Sequence, residues 1–278
     1  MQKNRIVVDS CCDLTPEMRA EMDAVSVPLT MDIDGQNFRD DEMLDIVDFR
    51  NRVSQYNGKV GSAAPPPFLF EQAMTGCESA YGVTLSRKLS SSYSNAVLGG
   101  EDAAAANAAQ AYVFDSKSAA AGETLIAVKL HELLQAETPR ELLIETMHRF
   151  IDDMKTYFVL ENYDNLQKNG RLSKVKGTLI QMLNIKLIMG ADGNGEIALF
   201  EKCRGIKSMV QHMLALIERS GKDTRDGNLV ISHCNNPGLA EQLRCLALER
   251  FHFKKIFIVP MGGLSSMYVD DKGLVMAF

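Results

Sequence analysis

What the 278-residue chain lacks narrows its chemistry first. No uninterrupted apolar run approaches the ~20 residues that a membrane span needs. The opening Met1-Gln2-Lys3-Asn4-Arg5-Ile6 leads into an expected strand rather than a signal peptide, so a cytoplasmic location is expected. Positive charge is in deficit: a net charge of -6 at pH 7 argues against a nucleic-acid partner, because phosphate-backbone binders collect Lys and Arg on one face. The six cysteines, Cys11, Cys12, Cys77, Cys203, Cys234 and Cys245, form no C-x-x-C pair and have no histidines at zinc spacing. Neither a disulfide framework nor a metal site is suggested, and buried or half-buried free thiols are expected.

Catalytic signatures are missing as well. There is no G-x-S-x-G, and His131, His148, His212, His233 and His252 mostly fall in helical segments, so a serine hydrolase has little support. Neither G-x-x-x-x-G-K-[ST] nor G-x-G-x-x-G follows a strand, which argues against nucleotide binding in the usual manner. Catalysis on a small carboxylic acid or phosphate ester would need a base beside a nucleophile, and no convincing pair is visible.

What is present is ordinary core material, 46% apolar and 24% charged. The length favours two domains, with a boundary near residue 150: residues 1–150 as an α/β domain and 151–278 as an α+β domain. Ile6-Val7-Val8 reads as a strand ending at Asp9-Ser10, and Thr15-Pro16-Glu17 as a helix start. A strand is expected over 25–31, with a turn at Asp34-Gly35 and a short return to Phe38. Pro65-Pro66-Pro67 interrupt regular structure and make that loop a candidate site wall, and a helix is expected from about Phe68 to Cys77. Tyr81–Leu85 and Ala111–Phe114 read as strands, each followed by a polar loop and a helix, at 93–110 and 122–135. This alternation predicts a parallel, doubly wound, Rossmann-like sheet, whose ligands sit beyond the carboxyl ends of the strands.

After a helix capped at Thr138-Pro139 and running to about Met154, the pattern changes. Strands at 157–160, 186–189, 197–202, 229–233, 257–260 and 274–278, with a hairpin at Ala191-Asp192-Gly193-Asn194-Gly195, predict a largely antiparallel sheet. An apolar patch at 179–183 and helices over 210–218 and 240–249 complete this half.

Hydroxyls crowd the predicted strand-end edge: Ser10, Ser62, Ser86, Ser90, Ser91, Ser92, Ser94, Ser116 and Ser118. They could donate to an anionic head group, helped by a helix N-terminus near Ser92. Simple helix capping is the more economical reading of the residues alone. Asn169-Gly170-Arg171-Leu172-Ser173 reads as a turn before a helix, where an arginine could fix an anion or a partner, or stand idle at the surface. Lys202, Arg204 and Lys207 form a small basic stretch that a solvated face explains equally well.

Taken together, these segments resemble the DegV family over essentially the whole chain. The family's D-S-x-x-D-L is similar to Asp9-Ser10-Cys11-Cys12-Asp13-Leu14, and its T-S-x-P to Ser62-Ala63-Ala64-Pro65. Its S-x-x-L-S-G-T-Y is similar to Ser86-Arg87-Lys88-Leu89-Ser90-Ser91-Ser92-Tyr93, and its V-x-D-S to Val113-Phe114-Asp115-Ser116. The most specific match is L-x-K-G-G-R-[IL]-S, here Leu166-Gln167-Lys168-Asn169-Gly170-Arg171-Leu172-Ser173.

The resemblance implies a non-enzymatic bacterial carrier with no cofactor, holding one long-chain fatty acid between its domains. A separate fatty acid kinase would phosphorylate the presented carboxylate for phospholipid synthesis, and transient contact with a membrane surface is allowed. It places the carboxylate at Ser62 and Ser90, and partner docking at Arg171 and Arg204. Two departures stand out. A histidine that many members carry near the last strand is missing from Tyr268-Val269-Asp270-Asp271-Lys272-Gly273, which leaves Tyr268 as a substitute donor. The glycine of S-G-T-Y has become Ser91, losing its backbone freedom. A diverged module for another small carboxylate or lipid is the alternative reading.

Overall fold

The computed structural model describes residues 2–106, 109–172, 175 and 185–278. The chain opens with β1 (Gln2–Asp9), α1 (Pro16–Met22) and β2 (Ala24–Val27). Thr15 Oγ1 accepts the Met18 N–H at 3.2 Å and Pro16 takes the first helical position, as the Thr-Pro-Glu start predicts. The strand expected over 25–31 is divided at Pro28. Proline offers no N–H to a ladder, and the Leu29 N–H goes to Ser10 Oγ at 3.0 Å instead. Beyond the break come β3 (Thr30–Ile33), β4 (Gln36–Arg39), α2 (Ile46–Gln55) and β5 (Gly61–Ala63). These strands form a separate antiparallel sheet in the order β4-β3-β5, with Ser62 opposite Met31.

Next follow α3 (Pro67–Met74), β6 (Cys77–Thr84), α4 (Ser92–Ala105), β7 (Gln110–Asp115), α5 (Ala121–Gln135) and α6 (Arg140–Asp153). β2-β1-β6-β7 is a fully parallel sheet. Helices cover both its faces, which is why β1 reads as a continuous Ile-Val-Val run rather than an alternating one. The helix expected over 93–110 stops at Ala105. Thr138 does not cap α6: its N–H donates to Leu133 O at the close of α5, and α6 starts after Pro139 without a side-chain cap.

The rest of the chain comprises β8 (Thr156–Val159), α7 (Asp164–Lys168), β9 (Ile185–Ala191), β10 (Ile197–Arg204), α8 (Gly205–Arg219), β11 (Asn228–His233), α9 (Pro237–Arg250), β12 (Lys255–Pro260), α10 (Gly263–Val269) and β13 (Leu274–Ala277). The strand order β10-β9-β8-β13-β11-β12 is antiparallel except for the β11–β12 pair. The expected α/β plus α+β fold class is therefore present, with the small third sheet as an addition. The helix expected after Leu172 and the apolar patch at 179–183 lie outside the described residues.

α5 joins the two large sheets. Its Leu125, Ile126 and Leu130 belong to one buried cluster with Val8, Val83 and Phe114 from the parallel sheet and Phe158, Val230 and Val275 from the mixed sheet. Burying these side chains on both sheets at once ties the stability of each half to the other.

Candidate functional site

Where the strand ends of β6, the small sheet, β8 and α10 converge, they enclose a cavity of about 420 Å³. Its body is apolar, with Leu89, Ala119, Phe158, Leu160, Ile197 and Val275 on the walls. Hydroxyls stand on the same lining: Ser62, Ser90, Ser91 and Tyr268. An apolar cavity with a few converging polar groups suits an amphiphile with a polar or anionic head.

Local structure sets each hydroxyl. Ser62 lies in β5, and its Oγ is 2.8 Å from the Tyr268 OH on α10. Ser90 Oγ accepts the Ser92 N–H at 3.1 Å, at the first residue of α4, and lies 3.2 Å from Ser92 Oγ. Ser91 has φ -82°, within reach of any residue, so losing a glycine there costs the backbone nothing. Ser10, Ser86 and Ser116 are used structurally. Ser10 accepts from Leu29, Ser86 Oγ donates to Gly195 O at 2.7 Å, and Ser116 Oγ donates to Ser118 O. Ser118 also lines the cavity, 2.7 Å from Thr156 Oγ1.

The structure separates the two arginines. Arg171 lines the cavity, donating through Nε to Leu89 O at 3.0 Å and through a terminal nitrogen to Asn169 O. It therefore brings a fixed positive charge to the wall that carries Ser90. Arg204 stands off the cavity, exposed at the cap of α8 between exposed Lys202 and Lys207.

The feature that sequence reasoning missed is a nest of buried carboxyls beneath the site. Asp9 Oδ1 accepts the Cys11 N–H and Oδ2 the Leu85 N–H, and burial still raises its pKa to about 6. Asp13 Oδ1 accepts the Gly262 N–H at 3.0 Å, while Oδ2 has no hydrogen-bond partner among the described residues; burial lifts this group to about 7. Among the described residues neither oxygen of Glu123 has a hydrogen-bond partner, and burial, reinforced by the Asp9 charge, holds its pKa well above the usual range. Asp40, also raised by burial, accepts from Gly263 and Leu264. A signal was available: a lone Glu123 inside the otherwise uncharged stretch Ala119–Val128. Among the described residues no group of three His, Cys, Asp or Glu side chains is arranged to hold a metal ion. No helix of the described residues is long and apolar enough to cross a membrane.

Comparison with known proteins agrees with this architecture. A DegV domain-containing protein of Streptococcus pyogenes serotype M1 is 32% identical over 277 residues, spanning 99% of this chain and 98% of its own. A DegV family protein of Ruminococcus gnavus, refined with vaccenic acid, superposes with a TM-score of 0.95 at 35% identity, covering 100% of this chain and 99% of the other. The Streptococcus pneumoniae fatty acid kinase (Fak) B3 protein, loaded with linoleic acid, gives a TM-score of 0.91 at 32% identity, with 100% and 99% coverage. The model of the DegV family, described as uncharacterised proteins, matches residues 3–277, and with that near-complete match the chain belongs to the DegV family.

Proposed function

We propose that the cavity holds one long-chain fatty acid, with its carboxylate at Ser62, Ser90, Ser91 and Tyr268, and that the protein presents this head group to a separate fatty acid kinase. The observation that carries the reading is the 420 Å³ apolar cavity whose lining gathers these hydroxyls. A carboxylate taken from water needs converging donors, which the hydroxyls supply, while each methylene buried contributes about 0.8 kcal/mol. The fatty acids held by the Ruminococcus gnavus and Streptococcus pneumoniae relatives support the same ligand class. The chain's own part is binding and orientation, with phosphoryl transfer left to the kinase. Exposed Arg204, beside Lys202 and Lys207, suits docking of an acidic partner surface. Arg171 is better placed to steady the head-group wall, since its guanidinium is engaged by Leu89 O.

The test is a reconstituted reaction with oleate, ATP and a bacterial fatty acid kinase. Acyl phosphate that forms only when both proteins are present supports the reading. Turnover of acyl esters by this protein alone would replace it with an enzymatic one.

A further inference from the structure

α10 forms one wall of the cavity through Leu264, Ser265, Tyr268 and Val269, and it is fastened at both ends. At its start, Asp40 Oδ1 accepts the Gly263 N–H at 2.8 Å and Oδ2 accepts the Leu264 N–H at 3.0 Å. Five residues beyond Gly263, the Tyr268 OH meets Ser62 Oγ at 2.8 Å. Both fastenings belong to the same unit of the fold. Asp40 follows β4, with its own N–H donating to Leu29 O, and Ser62 lies on β5 opposite Met31 of β3. The small sheet therefore grips α10 at two points about one and a half turns apart.

The grip at the first point is close. A Cβ built on Gly263 would stand 2.6 Å from Asp40 Oδ1, 2.5 Å from Leu44 Cδ2 and 2.7 Å from Met31 Cε. Asp40 is buried, and each of its carboxylate oxygens is engaged by one of the two N–H groups. A slip of one residue along a helix moves a side chain by about 1.5 Å and turns it by about 100°, enough to part Tyr268 from Ser62.

We propose that Asp40 is a positioning residue for the ligand site, fixing the Tyr268 phenol against Ser62 through the start of α10. This role rests on the reading of Tyr268 and Ser62 as head-group donors. It differs from plain helix capping in one respect: its effect on ligand affinity runs through Tyr268 and disappears when the phenol is gone.

A double-mutant cycle reads that difference. Oleate binding is titrated calorimetrically on delipidated wild type, Asp40→Asn, Tyr268→Phe and the double variant, with thermal unfolding recorded for each. The amide keeps the shape of Asp40 but offers an acceptor to only one of the two N–H groups. Each single variant is expected to lose about tenfold in affinity, and the double variant to bind no more weakly than Tyr268→Phe. Wild-type affinity in Asp40→Asn, or an additive loss of about a hundredfold in the double variant, overturns the positioning role. A wild type that takes up no oleate overturns the fatty-acid reading itself, and this role with it. Should Asp40→Asn fail to fold, Gly263→Ala disturbs the same clamp from the helix side, and the cycle is run with that variant.

Discussion

The Tyr268 phenol lies 2.8 Å from the Ser62 hydroxyl across 206 residues of sequence, joining α10 to the small sheet at the cavity wall. Of the two hydroxyl protons in this pair, one is used between them and the other is free for a head group. Ser62→Ala and Ser90→Ala should each weaken displacement of a fluorescent fatty acid about tenfold, while lowering stability by no more than about 1 kcal/mol. Displacement curves and urea unfolding check the two halves of this statement. Unchanged curves for both variants would remove the carboxylate from these hydroxyls.

The buried carboxyls give a pH dependence opposite to ordinary acid denaturation. Unfolded Asp and Glu titrate near pH 4, whereas folded Asp9 titrates at about 6 and Asp13 at about 7, and burial also holds Glu123 well above its usual range. Between these values the native state binds more protons than the unfolded chain, so stability falls as pH rises through that window. Urea unfolding should show greater stability at pH 5 than at pH 8, by on the order of 4 kcal/mol from Asp9 and Asp13 together. Glu123→Gln, which removes the cost of ionising this group, should stabilise the protein at pH 8 and narrow the difference. A stability that climbs steadily from pH 5 to pH 8 would contradict the nest's protonation.

Much of this architecture was legible in the residues. The parallel strands show as apolar runs ending in polar loops, Thr15-Pro16 marks α1, and Asp192-Gly193-Asn194-Gly195 marks the β9–β10 hairpin. α10 was not legible, because Gly262-Gly263 and Ser265-Ser266 break an apolar helical period and its start is fixed by distant Asp13 and Asp40. β5 pairs with β3 across a long stretch of sequence, so no local pattern reveals its partner. Ser62 and Ser90, which line the cavity, were singled out through motif resemblance. Asp9 reads as the polar end of a strand, when burial between packed elements makes it and Asp13 proton-binding groups.

Ala119 lines the cavity and is small. Ala119→Leu should fill part of the cavity and exclude two or three methylenes of a long chain. At about 0.8 kcal/mol each, this means roughly a ten- to fiftyfold loss of affinity for an eighteen-carbon acid. A shorter acid should lose less, and a chain-length series by calorimetry checks it. Equal losses at every length would mean that Ala119 does not bound the acyl chain.

Leu125 of α5 is buried in the cluster that joins the two large sheets. Leu125→Ala should cost about 2–5 kcal/mol, and both halves should unfold in one shifted transition. Urea unfolding followed by far-UV circular dichroism checks the cost, and hydrogen exchange resolved by segment checks the coupling. Separate transitions for the two halves would show that α5 does not couple them.

The most decisive measurement is native mass spectrometry of the purified protein, followed by solvent extraction of whatever it releases. One fatty acid per chain, of a length that the 420 Å³ cavity accepts, is the expected result. A protein that is empty as purified, and that stays empty after incubation with oleate or palmitate, would contradict the carrier reading and assign the cavity to another small carboxylate or lipid.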